Sequence, residues 1–326
     1  MTALTSPPAH HFDDPSSWTV DTITSDDYLF AIPDDALAEI LDLAHFFERN
    51  PIIVEAITPD DFDIPAIRQF MKKVEYASRK GPRFALIDRL PMDDISDDAA
   101  VKVYWVLMSL MSRPVAQTLD GVFVFPVEDT GRQFEPGSGV RPATTNMEQN
   151  FHNDNCFNGM PPDFVTLLCV HPAIDGGGVS RVVSLTSVHN DLVDNHPEVL
   201  ERLFDPFYFD RQKEHPEGEP LTISQPIFSF DDVLKVRLGN SLVRSGYAVK
   251  GESLDEKGQK ALDVLTSVVE DPKNWLEFSL ERGQIEIANN RETGHARSGY
   301  HDDPSKPRRR LERLWLRDEG RRTYLG

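Results

Sequence analysis

The segment NFHNDNCFNG, residues 150–159, sets an imidazole and a carboxylate two positions apart. His152 and Asp154 offer a nitrogen and an oxygen donor of the kinds that hold a first-row divalent metal. The same His-Asn-Asp triplet returns in SVHNDLV, at His189 and Asp191. Spacing alone does not choose between them. With 10 histidines and 54 acidic residues in 326 positions, random placement supplies about 10 × 54/326 ≈ 1.7 His-x-acid triplets. Six occur; beyond His11 near the N-terminus, they start at His152, His189, His196, His215 and His301, so local conformation has to decide.

Side chains at i and i+2 share a face of a strand but diverge by about 200° on a helix. One metal can take both only from an extended segment. TSVHNDLVDNHPEVLERLF opens on capping residues and continues at helical spacing, so His189 and Asp191 point apart, and His196 and Glu198 straddle a proline at a helix start. His215 and His301 lie in polar turns. The segment around His152 and Asp154 lacks helical periodicity, and Asn and Gly stop it just after the pair, as in an extended rim segment. A His–Asp pair hydrogen-bonded in a loop is the competing reading. Downstream, IANNRETGHARSGYHDDPSKPRRRLERLWLR carries His295 after a strand, then Arg309 and Arg313, fourteen and eighteen residues further on. Two histidines and a carboxylate on one triangular face are the ligand set of mononuclear non-heme iron(II) oxygenases.

FHNDN, PPDFVTLL, GGGVSR, NNRETGHAR and RRLERLWLR occur in that order across about half the chain. Together they resemble the taurine dioxygenase/clavaminate synthase-like family of Fe(II)/2-oxoglutarate oxygenases. The resemblance implies His152, Asp154 and His295 as the iron ligands, and Arg309 as the partner of the distal carboxylate of 2-oxoglutarate. Ser180, where the family carries threonine, would donate to the same carboxylate. Arg313 falls where amino-acid hydroxylases of the group hold a substrate carboxylate. Asn155 and Asn290 would contact substrate or orient ligands. A one-residue change of register would pass the anchor role to Arg308 or Arg310. Arg297 reads as a structural salt bridge.

The resemblance also implies a mixed α/β, β-rich fold, a distorted double-stranded β-helix (jelly roll) flanked by helices. Its chemistry would use Fe(II), O2 and 2-oxoglutarate, releasing succinate and CO2 while hydroxylating an unactivated C–H bond of a small molecule. Asp154 favours hydroxylation over halogenation, because related halogenases lack the carboxylate ligand. Two other readings stand beside it: a zinc-dependent hydrolase using the same three ligands, and a non-catalytic jelly-roll binding protein.

These residues need a scaffold. DDALAEILDLAHFFER (34–49), DIPAIRQFMKKVEYASRK (63–80) and DDAAVKVYWVLMSLMSR (97–113) read as helices, and RFALIDRLP (83–91) as a strand. The second half reads as many short strands, among them 163–173, 178–185, FYFDRQ, QPIFSF, KVRLGNSLV, QIEIANN and 310–318, with a helix inserted at 253–271. The expected organisation is a flexible lead-in over 1–18 and one oxygenase domain over 19–326. That domain divides into a helical scaffold at about 34–113 and a jelly-roll core at about 114–326. The Gly- and Pro-rich stretch 114–148 is expected to contain a lid. The net charge of −20 argues against nucleic-acid or anionic-membrane partners. Two cysteines and no long apolar run point to a reducing cytoplasm. The partner is then a small-molecule substrate, with room for a homo-oligomer.

Overall fold

The computed structural model describes residues 11–132, 140–231 and 233–326. Its strands are β1 (Leu29–Ala31), β2 (Phe84–Asp88), β3 (Arg113–Val115), β4 (Phe125–Val127), β5 (Gln149–His152), β6 (Phe164–His171), β7 (Ser180–Ser184), β8 (Pro206–Asp210), β9 (Thr222–Pro226), β10 (Phe228–Phe230), β11 (Leu234–Val236), β12 (Trp275–Phe278), β13 (Ile285–Asn289), β14 (Thr293–Arg297) and β15 (Arg310–Arg317). The helices are α1 (Ser25–Tyr28), α2 (Asp34–Arg49), α3 (Pro65–Lys80), α4 (Asp97–Met111), α5 (Leu185–Asn195), α6 (Pro197–Phe204), α7 (Asn240–Lys250) and α8 (Glu256–Val269).

A seven-stranded sheet runs β1-β2-β13-β6-β15-β3, with β4 also paired to β15. A four-stranded sheet runs β12-β7-β14-β5. Apart from parallel β1–β2, the pairings in these two sheets are antiparallel. The apolar stripes of α2, α3 and α4 form one core with the outer face of the larger sheet, including Ile285 and Ile287 of β13 and Leu314 and Leu316 of β15. This is why α4 is buried almost all round and why β15, as a central strand, lacks the hydrophobic alternation of a half-solvated one.

The insertion is larger than the single helix expected from sequence. Everything from α5 to α8, with hairpins β8–β9 and β10–β11, leaves β7 and returns to its neighbour β12 around a second core. Within it, KVRLGNSLV is not one strand. β11 ends at Val236, Gly239 caps, and Asn240 starts α7. Here α7 packs so closely that a Cβ on Gly246 would lie 2.2 Å from the Tyr208 carbonyl oxygen of β8.

Residues 1–10 of the expected lead-in, and 133–139 of the expected lid segment, lie outside the described residues. Residues 11–18 pack on the protein. The Trp18 indole donates to the Pro82 carbonyl, and Phe12 meets the His189 ring edge-on at 5.1 Å.

Candidate metal centre

β5 and β14 pair with His295 directly opposite His152, so both imidazoles project from one face of the small sheet. The chain then leaves the strand, and Asp154 turns back toward them. Its Oδ1 lies 3.4 Å from His152 Nε2 and 3.7 Å from His295 Nε2. All three ligand atoms fall within 4.8 Å of one another. Donors about 2.1 Å from a metal, on one face of an octahedron, would sit about 3 Å apart. The triad therefore fits a divalent ion with little movement.

Each donor is presented for coordination. The Asn150 carbonyl, which can only accept, lies 2.9 Å from His152 Nδ1; this fixes the tautomer and frees Nε2. Burial, and then the neighbouring His152, push the His295 imidazole below its ordinary pKa although the Asp154 carboxylate raises it, so the neutral ring is favoured. Burial would raise the Asp154 carboxyl, but the Arg313 guanidinium and hydrogen bonds from the two imidazoles outweigh it. They hold the carboxyl well below the usual range.

Asp154 Oδ2 is already engaged. Arg313 Nη1 donates to it at 2.9 Å and the Trp315 indole at 2.8 Å. Arg313 Nε in turn donates to Gln117 Oε1 at 2.7 Å. Trp315 and Gln117 were not singled out from sequence. Period two along RLERLWLR puts Trp315 on the Arg313 face, which was a usable signal; nothing local marked Gln117. Asn290 is likewise committed. Its Oδ1 accepts from the Asp154 backbone N–H, and its Nδ2 donates to the carbonyls of Asp154 and Pro162. Of the two roles expected of Asn290, orienting a ligand or contacting substrate, these bonds match the first, since its amide shapes the turn that carries Asp154. Asn155 occupies the left-handed region at φ 56°, which asparagine tolerates, and lines the larger cavity.

Two cavities meet at the triad. The larger, about 410 Å³, reaches from His152 and Asp154 to Arg141, Glu214, Leu238, Thr266 and Arg313. Across it Arg141 pairs with Glu214 at 2.5 Å, and the Tyr324 hydroxyl bonds to Glu214 and to Asn155. The second is a narrow recess that runs from the triad between the sheets to Ser180, Glu286, Arg297 and Arg309. Arg309 is 3% exposed while Arg308 and Arg310 are exposed. Its guanidinium lies 4.8 Å from the centre of the Tyr300 ring, and its Nη1 is buried without a hydrogen-bond partner among the described residues. An orphaned guanidinium nitrogen at the end of a recess that starts at a metal triad fits a dicarboxylate that chelates the metal at its other end. Gly178 makes room for it, since a Cβ there would stand 2.6 Å from Arg309 Nε. Among the described residues Arg297 forms no salt bridge, the structural role read for it from sequence. It donates instead to the Thr145 and Met147 carbonyls and ties down the segment leading to β5.

The competing triplets sit elsewhere. His189 is buried on α5 among Phe12, Phe204 and Phe228, and Asp191 pairs with Lys273 at 2.7 Å. Glu198 pairs with Lys260, and His301 lies at the surface near Asp175.

The family described as taurine catabolism dioxygenase TauD, TfdA family matches residues 54–315. FR-33289 synthase of Streptomyces rubellomurinus (strain ATCC 31215) is 25% identical over 317 residues, covering 96% of this chain and 88% of that one. An asparagine oxygenase in complex with Fe(II), 2S,3S-3-hydroxyasparagine and succinate superposes with a TM-score of 0.65 at 17% identity, over 89% of this chain and 93% of that one. The non-heme iron oxygenase OrfP, in complex with Fe and alpha-ketoglutaric acid, does so with a TM-score of 0.64 at 14% identity, over 89% and 94%.

Proposed function

Since the chain belongs to the TauD/TfdA family and is an Fe(II)- and 2-oxoglutarate-dependent dioxygenase, we propose that it hydroxylates an unactivated C–H bond of a small amino-acid-like or anionic molecule held in the 410 Å³ cavity. In this reading His152, Asp154 and His295 hold the iron. Arg309, with Ser180, receives the distal carboxylate of 2-oxoglutarate. Arg313 and Asn155 stand where substrate enters. The observation that carries the reading is the meeting of the two cavities at the triad, one with an orphaned arginine nitrogen at its end.

When bound, the metal with 2-oxoglutarate and O2 supplies the oxidising power, one oxygen atom leaving in succinate and the other in the hydroxylated product. The chain's own part is placement. Asp154 Oδ2 is held by Arg313 and Trp315, so Oδ1 is left to face the metal position. The side chains of Leu238, Phe157 and Trp315 restrict water around the substrate position. Arg141 and Glu214 give the cavity both signs of charge, which suits a zwitterion. The asparagine oxygenase with 3-hydroxyasparagine, and OrfP with (3S)-hydroxy-L-Arg, support an amino-acid-like substrate.

The two large sheets read as a distorted jelly roll, and residues 19–326 as one oxygenase domain. Among the described residues no helix is long and apolar enough to cross a membrane. The two free, buried cysteines support a reducing cytoplasm.

The test is a panel of free amino acids and related small anions assayed for succinate release and a product 16 mass units heavier. Succinate formation coupled to one such compound supports the proposal. Turnover of 2-oxoglutarate with every compound left unmodified counts against this substrate class.

A further inference from the structure

Glu286 is an anomaly in the recess. It lies on β13 between Ile285 and Ile287, which face the helices, so its own side chain is turned inward between the sheets. It is 3% exposed, lines the same recess as Arg309 and Ser180, and its Oε2 is buried with no hydrogen-bond partner among the described residues. The residues opposite it on the flanking strands are Leu86 and Leu167, which offer no compensating charge. An ionised carboxylate there would share a narrow, buried recess with the carboxylate of any incoming dicarboxylate, and two like charges sharing one site are disfavoured.

The geometry points to Glu286 as a neutral, hydrogen-bond-donating wall of the 2-oxoglutarate recess, so that 2-oxoglutarate binding is coupled to uptake of one proton by this residue. The inference rests on the co-substrate assignment above and adds a second partner to it. Arg309 supplies the charge, and the Glu286 carboxyl O–H supplies a donor to the same end of the ligand. The proton comes from solvent, and no bond to carbon is made or broken.

The surrounding groups are consistent with this. Burial pushes the Glu286 carboxyl up to about 7; the Ser180 hydroxyl and the Arg309 guanidinium, the charged group that acts on it, only partly offset burial. Arg297 and His295 on β14, Arg313 on β15, and His152 and Asp154 at the metal end line the rest of the recess. Cys169 on β6, two positions along from Leu167, stays a neutral thiol, pushed up to about 12 by burial. At the far end of β2, Asp88 accepts from Gln284.

The test is anaerobic titration of the Fe(II) protein with 2-oxoglutarate, following the visible charge-transfer band, from pH 7 to 9 in wild type and in Glu286→Gln. If only the protonated form binds, the wild-type Kd rises about tenfold per pH unit above the transition. The always-neutral amide should remove most of that slope. Calorimetry on the wild type alone, in buffers of different ionisation enthalpy, covers the case in which the variant fails to fold. Proton uptake approaching one at pH 8 supports the coupling. Equal slopes in the two proteins, or no proton uptake at pH 8, overturn it. Absence of the band in wild type at every pH would instead overturn the co-substrate assignment itself.

Discussion

Arg313 Nη1 stands 2.9 Å from Asp154 Oδ2, on the oxygen opposite the one that faces the two imidazoles. Arg313, together with the Trp315 indole on the same oxygen, thereby decides which carboxylate oxygen is free for a metal. It also complicates the role read from the sequence, in which Arg313 holds a substrate carboxylate. Two of its nitrogens are committed to Asp154 and Gln117, and only the remaining face of the guanidinium can turn to the cavity. Arg313→Ala should weaken Fe(II) binding by about 10- to 100-fold, the usual cost of removing a residue that orients a ligand. Arg313→Lys should recover part of it, since the charge remains and the fork is lost. Anaerobic Fe(II) titration reads both. An unchanged metal affinity in Arg313→Ala would leave substrate capture as its sole role.

The two His-Asn-Asp triplets should separate cleanly. His152→Ala removes an imidazole from the triad and should reduce turnover to background, with loss of the Fe(II)–2-oxoglutarate band. His189→Ala deletes a ring from an aromatic cluster. It should cost about 2–4 kcal/mol in unfolding free energy, as large-to-small core changes do, while Fe(II) still binds. Loss of metal from folded His189→Ala would refute the assignment.

Much of this was legible in the chain, for reasons that differ by residue. α2 was expected at its observed bounds because its apolar stripe is regular. β6 was legible as a run of buried β-formers. Local conformation distinguished the triplets, because a helix cannot aim His189 and Asp191 at one ion while a strand end can aim His152 and Asp154, and it is those two that converge with His295. KVRLGNSLV misled because LeuGlyAsnSerLeuVal satisfies a strand pattern as well as a helix start, and the docking of α7 on β8 decided it. The choice between the two roles read for Asn290 was open, and Glu286 was not singled out, for a deeper reason. What an amide is spent on, and whether a carboxyl is buried, depend on which strands become neighbours, and no window of sequence contains that.

Arg309 and Gly178 should behave as a unit. Arg309→Ala should raise the Kd for 2-oxoglutarate about 100-fold, in keeping with the loss of a desolvated charge-assisted contact. Gly178→Ala should raise it about tenfold in a folded protein. The added Cβ would stand 2.6 Å from Arg309 Nε, and the backbone there has φ +65°. Arg310→Ala is the control, because Arg310 is exposed and pairs with Glu312. The same titration measures all three. A large effect of Arg310→Ala would move the anchor by one residue.

Glu286 also makes a prediction that needs no ligand. Its carboxyl titrates near 4.5 when unfolded and is pushed up to about 7 in the fold, mainly by burial. Between those values the folded state holds a proton that the unfolded state has lost, so stability falls as pH rises through this window and is flat above it. The full penalty above pH 7 is about 3 kcal/mol at 1.36 kcal/mol per unit. Glu286→Gln cannot ionise and escapes it. The variant should therefore gain about 2–3 kcal/mol relative to wild type on going from pH 5 to pH 8, several degrees in melting temperature. Urea unfolding of both proteins at the two pH values measures this difference free of any metal or co-substrate. A difference that does not change with pH would mean that Glu286 is ionised in the fold and that the recess carries its charge by other means.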